Sequence, residues 1–162
     1  MFPPALLALA KQVLDGAREK GVRIAVAESC TGGLICGLLT EIPGSSDVLE
    51  RGFITYSNKA KRDLLGVPNK LITHDGAVSK SVACAMAEGA LARADAQIAV
   101  AVTGVAGPGG GTPDKPVGLV HLAAVCSGST TVHEEHRFGD GGRTEIRLQT
   151  AGAALLLVKK LI

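Results

Sequence analysis

Apolar residues near the start of the chain recur at helical spacing. Leu6, Leu9, Ala10, Val13, Leu14 and Ala17 fall on one face, and Gly21 supplies a stop. This spacing predicts a helix that ends at the glycine. Residues 22–28, VRIAVAE, are a β-branched run of strand length. From Thr31, TGGLICGLLTEI reads as a helix closed by Pro43-Gly44. RGFITYS reads as a strand, and NKAKRDLLG as a short helix ending at Gly66. SKSVACAMAEGALARA follows as a long amphipathic helix and AQIAVAVTG as a buried strand. A Gly/Pro loop, VAGPGGGTPDKP, leads into VGLVHLAAVCSG and the alternating TTVHEEHRF, which together predict a hairpin. The last helix starts near Gly142 and runs to the C-terminus.

Strands that alternate with helices early, followed by a late hairpin, predict a three-layer αβα domain with a mixed, mostly parallel sheet. At 162 residues, 1–162 is expected to be one domain able to bury its own core. No internal repeat or linker divides it. Hydrophobic residues at 46% and charged residues at 20% exclude disorder. Aromatics are only 2%, with no Trp. The core must then be Ala, Val, Leu and Ile, and the stacking platform of single-strand nucleic-acid binders is missing. A net charge of +2, with both signs interspersed, gives no field for a polyanion, so no nucleic-acid partner is expected. No apolar span approaches the ~20 residues of a membrane helix, and the start has no basic leader. The four cysteines form no CxxC pair, and Cys36, Cys84 and Cys126 read as small core residues. A reducing, cytoplasmic setting is expected, with no metal and no cofactor.

In open α/β sheets ligands sit beyond the carboxyl ends of the strands. AESCTGG, TYSNKAK and TGVAGPGGG all reach such ends, and each is rich in hydroxyls and glycines. Ser29 is a helix N-cap or a nucleophile beside an anion or oxyanion pocket made by the amides of Thr31, Gly32 and Gly33. Cys30 is the rival nucleophile, with no histidine nearby in sequence to activate it. Neither G-x-S-x-G nor S-x-x-K is present, and His74, His121, His133 and His136 carry no flanking signature. In the HEEH segment, His133 and Glu135 face one way and Glu134 and His136 the other, as on a solvated strand. The remaining candidate base is a lysine, Lys59 or Lys61: on a solvated helix either is an ordinary surface lysine, but one turned into a dry pocket would have a lowered pKa and accept a proton. TGVAGPGGG matches neither dinucleotide nor P-loop pattern. Arg143 and Arg147, four apart, either line an exposed helix face or hold a carboxylate or phosphate.

Several blocks together resemble the CinA C-terminal-domain family, best known for nicotinamide mononucleotide amidohydrolase activity. They are AESCTGG, PGSS at 43–46, Gly52, Y-S-N-x-x-K from Tyr56 to Lys61 followed by LLGV, GAVS at 76–79, TGVAGPGGG from Thr103, KPVG at 115–118 and R-x-x-I-R from Arg143. The resemblance covers nearly the whole chain in the right order. It implies an αβα fold and metal-independent hydrolysis of a nucleotide carboxamide by a Ser–Lys pair. On that resemblance Ser29 is the nucleophile and Lys61 its base, while Lys59 falls at an open position. Tyr56 and Thr103 hold the catalytic hydroxyl, the lysine or the substrate. Asn58, Gly104, Thr31, Gly32 and Gly33 bind substrate or oxyanion, and Arg143 takes the phosphate. The implied partner is a small-molecule nucleotide, and the expected assembly a homodimer. Family members often carry a second, pyrophosphatase-like domain, which is not expected in this chain. Two competing readings are a non-catalytic nucleotide- or partner-binding module and a serine amidase for another small substrate.

Overall fold

The computed structural model describes residues 2–162. Helix α1 (Pro4–Lys20) ends where expected, with Gly21 in the left-handed conformation. Strand β1 (Ile24–Glu28) follows, then α2 (Leu34–Thr40) and β2 (Leu49–Ile54). Three helices come next: α3 (Asn58–Leu65), α4 (Asn69–Asp75) and α5 (Lys80–Ala92). Strand β3 (Ile98–Gly104) precedes the hairpin of β4 (Leu119–Cys126) and β5 (Val132–Arg137), and α6 (Arg143–Leu161) closes the chain. The five strands form one sheet in the order β2-β1-β3-β4-β5. β1 pairs in parallel with β2 and β3, whereas β3/β4 and β4/β5 are antiparallel. This is the mixed sheet the pattern predicts, with its parallel half at β2, β1 and β3.

Side-chain alternation assigns a helix layer to each face. Ile24, Val26, Ile98, Val100, Val102, Val120 and Leu122 pack with α1, α2 and α6. Ala25, Ala27, Ala99, Ala101 and Ala123 point the other way, onto α5. Large branched residues thus fill one face and alanines the other, which lets α5 lie close to the sheet. The same crowding reaches α3, where a Cβ on Gly89 of α5 would lie 2.0 Å from the Leu65 carbonyl oxygen.

Three expectations change. Helix α2 begins at Leu34 rather than Thr31, because Gly32 (φ +59°) and Gly33 (φ +97°) take backbone conformations outside the right-handed helix. Helix α4 and a 3-10 turn at Ser45–Asp47 were not anticipated. Each is too short to show a period, and α4 buries only Ile72. Among the cysteines, Cys30 is the buried one at 6% exposure, while Cys36, Cys84 and Cys126 are half-buried.

Candidate active site

Parallel register brings the carboxyl ends of three strands level, with Glu28 of β1 opposite both Ile54 of β2 and Val102 of β3. Ser29, Thr55-Tyr56 and Thr103-Gly104 therefore emerge at one sheet edge. They surround a cavity of about 320 Å³ that is lined in part by Ser29, Tyr56, Asn58, Lys61, Gly104 and Arg143, with Thr103 beneath. A larger cavity of about 650 Å³ lies on the far side of Val78, which lines both. Its rim mixes Lys80, Lys115 and Arg137 with Asp75, Asp114 and Glu135, so it has no charge preference, and no residue singled out in the sequence as catalytic lines it.

Lys61 reaches the smaller cavity because of where α3 starts. Ser57 caps the helix, its Oγ accepting from the Ala60 N–H at 3.0 Å. Lys61 is then one turn in, four residues before buried Leu65, at a position where an apolar side chain would normally pack. It is 1% exposed. Its Nζ donates to Ser29 Oγ at 2.9 Å and to the Thr55 carbonyl at 2.8 Å. Burial holds its pKa below the ordinary 10.5, opposed only by the nearby Cys30 thiol. Lys59 points outward instead and pairs with Asp63.

Cys30 also lines the cavity, but burial, reinforced by the charge of Glu28, pushes its thiol up to about 11. Such a thiol stays protonated at neutral pH and is a poor nucleophile. Ser29, by contrast, has an amine on its hydroxyl.

Two of the three amides expected to form a pocket at Thr31, Gly32 and Gly33 are engaged inside the protein. The Gly33 N–H donates to Glu28 Oε2 at 2.9 Å, and the Gly32 N–H to the Ser29 carbonyl at 3.1 Å. None of the three residues lines the cavity, and Thr31 is fully buried. Of the amides that follow Ser29, those of Cys30 and Thr31 donate to no other residue among the described ones.

Tyr56 and Thr103 hold structure around the Ser29–Lys61 contact and make no hydrogen bond to either side chain. Thr103 Oγ1 donates to the Ala77 carbonyl at 2.8 Å and fixes the wall at Ala77-Val78. Arg143, at the start of α6, donates to Tyr56 Oη at 2.8 Å and to the Gly107 carbonyl at 2.7 Å, spanning the mouth of the cavity. Arg147, one turn later, lies behind the turn that carries Ser29 and donates to the Thr31 carbonyl at 2.5 Å. The two arginines therefore separate: Arg143 lines the cavity and Arg147 does not. Sequence reasoning missed Glu28 and Thr55. The only signal for Glu28 was a charged residue closing a strand that is otherwise wholly apolar over 24–27.

The histidines stay apart from this site. His121 Nδ1 and His133 Nε2 are 3.0 Å apart across the β4/β5 pair, and His136 contacts Glu134 at 2.9 Å on the opposite face. Among the described residues no group of three or more His, Cys, Asp or Glu side chains is placed to hold a metal, and no helix is long and apolar enough to cross a membrane.

Comparison with known proteins gives a consistent result. The CinA C-terminal domain model matches residues 6–162. The crystal structure of competence/damage inducible protein CihA from Agrobacterium tumefaciens is 53% identical and superposes with a TM-score of 0.98 over 99% of this chain and 98% of that one. Competence damage-inducible protein A (ComA) from Klebsiella pneumoniae is 33% identical, with a TM-score of 0.91 over 96% of each chain. A CinA-like protein from Syntrophobacter fumaroxidans is 51% identical over 154 residues, which are 95% of this chain and 36% of that protein. The chain thus spans about a third of the length of the curated relatives it matches. With nearly its whole length matched in sequence and in fold, the chain belongs to the CinA C-terminal domain family.

Proposed function

We propose that this chain hydrolyses the carboxamide of nicotinamide mononucleotide, giving nicotinate mononucleotide and ammonia through a Ser29–Lys61 dyad. The observation that carries this reading is the contact of a buried, carboxylate-free lysine with a serine hydroxyl, at 2.9 Å, on the wall of a nucleotide-sized cavity. Neutral Lys61 takes the Ser29 proton as Oγ attacks the carboxamide carbon. The oxyanion is held by the uncommitted Cys30 amide, in the place where serine hydrolases commonly use the residue after the nucleophile. Lys61 returns its proton to the departing ammonia. Water, activated by the same amine, then cleaves the acyl-enzyme. The positive pyridinium ring draws electrons from the carboxamide and favours both attacks. Arg143, at the mouth, offers its guanidinium to the phosphate.

The test is ammonia release from nicotinamide mononucleotide in the presence of EDTA, with Ser29→Ala as the blank. Turnover that survives chelation and disappears in the blank supports the dyad. Activity lost to EDTA and restored by a divalent ion would refute a metal-free reaction. Turnover of a different small amide, with none of the nucleotide, would keep the dyad and change the substrate.

A further inference from the structure

Glu28 is fully buried and lines neither of the two cavities described above. Its carboxylate accepts three backbone hydrogen bonds from the start of α2: Oε2 from Gly33 at 2.9 Å and Ile35 at 3.1 Å, and Oε1 from Cys36 at 2.9 Å. A helix start usually satisfies these amides with a Ser, Thr, Asp or Asn at the cap. Here the cap is Gly33, which has no side chain, and the acceptor lies five residues upstream. Burying a carboxylate is costly unless its oxygens are fully bonded. A local cap would do the same work at far smaller cost, so capping alone does not account for Glu28.

What the long reach adds is a tether across the turn that carries Ser29. The Glu28 carbonyl accepts from the Thr55 N–H at 2.8 Å, and the Ser29 N–H donates to the Val102 carbonyl at 3.1 Å. These bonds lock the front of the turn to β2 and β3. The carboxylate locks the back of the turn, the first turn of α2, to the same residue. Thr55 in turn accepts from Lys61, and Lys61 donates to Ser29. Glu28, Thr55, Lys61 and Ser29 therefore form a closed ring of contacts.

We infer that Glu28 is a positioning residue for the nucleophile: by tying the start of α2 to the end of β1 it keeps Ser29 Oγ within hydrogen-bond reach of Lys61 Nζ. The inference rests on the Ser29–Lys61 reading above. It differs from simple helix capping in what it forbids, since loosening this tether should disturb reaction geometry more than substrate binding. Glu28 also takes the Gly33 amide, one of the three expected to line an oxyanion pocket.

Glu28→Gln and Glu28→Asp test this in the full chain. Gln keeps the volume but places an N–H₂ against helix amides, and Asp keeps the charge but is one methylene short. Leu155→Ala, a core change on α6, is the control for lost stability alone. Two readouts are taken: the rate at which phenylmethanesulfonyl fluoride labels Ser29, followed by intact mass, and kcat and KM for nicotinamide mononucleotide. In Glu28→Gln, labelling and kcat should each fall about 100-fold with KM within about 3-fold, as expected for a displacement near 1 Å. Leu155→Ala should stay within about 3-fold of wild type on both readouts at a temperature where it is folded. Should Glu28→Gln fail to fold, Glu28→Asp decides on the same two readouts. Wild-type labelling rates in the Glu28 variants, or an equal loss in Leu155→Ala, would overturn the inference alone. Wild-type protein whose Ser29 resists the reagent and releases no ammonia would overturn the dyad and this inference with it.

Discussion

Lys61 makes two opposed demands on the protein, and replacing it separates them. The amine is 1% exposed, bonded to Ser29 Oγ and the Thr55 carbonyl, with its pKa lowered by burial. No other titratable side chain among the described residues hydrogen-bonds Ser29. Lys61→Ala therefore deletes the base outright, and kcat should fall ~10²–10⁴-fold. That loss corresponds to ~2.7–5.4 kcal/mol, at ~1.36 kcal/mol per decade. Lys61→Arg should be equally impaired, because guanidinium can donate to Ser29 but cannot accept its proton. Lys59→Ala, which removes only an exposed ion pair, should stay near wild type. The active form is the neutral amine, so wild-type kcat/KM should rise with pH through a midpoint below 10.5.

The same lowered pKa acts on stability. Between the folded-state value and the unfolded one near 10.5, the unfolded chain binds a proton that the folded chain does not. Wild-type stability should therefore gain from this group as pH rises across that window, and lose it as pH falls. Lys61→Met has no such group, so the wild-type-minus-Met difference in urea-unfolding free energy should increase with pH. Ammonia release and urea titrations at several pH values measure both effects. Turnover in Lys61→Arg within about 10-fold of wild type would refute the base assignment. A stability difference that is flat or falls with pH would refute the burial argument.

Cys30→Ala should retain most activity while Ser29→Ala loses it, since the Cys30 thiol is held protonated; steady-state kinetics with the reverse pattern would move the nucleophile by one residue. Arg143→Ala should raise KM for the nucleotide ~10–100-fold, the equivalent of one charge-assisted contact, and much less for nicotinamide riboside. Equal effects on the two substrates would remove Arg143 from phosphate binding. Gly89→Ala should lower the unfolding free energy by about 1–3 kcal/mol, because its Cβ meets the Leu65 backbone and no side chain can give way; an unchanged Tm would refute the close packing of α5 on α3.

Much of this architecture is written in local pattern. The spacing of Leu6 to Ala17, the apolar runs at 24–27 and 98–102 and the alternating 132–137 segment each specify an element through the period at which a helix or strand buries one face. The order of those elements restricts the layers, because two parallel strands need a crossover between them. The family resemblance, rather than the pattern, marked Ser29, Tyr56, Asn58, Lys61, Thr103, Gly104 and Arg143, which the fold places around one cavity.

Other features depend on contacts between residues far apart in the chain, and no local period encodes those. Lys59 and Lys61 are alike as a sequence string. Helical phase and the Ser57 cap turn one toward solvent and the other onto Ser29, 32 residues away. Arg143 and Arg147 differ only in which loop lies opposite them once α6 has docked. Glu28 reads as a plain charged strand end until α2 folds back over it. Only then do three amides surround its carboxylate, and the Gly33 amide expected in an anion pocket becomes part of an internal tether. Element identity follows from short-range periodicity, but the environment of a buried charge is set by whichever segments the tertiary structure packs around it.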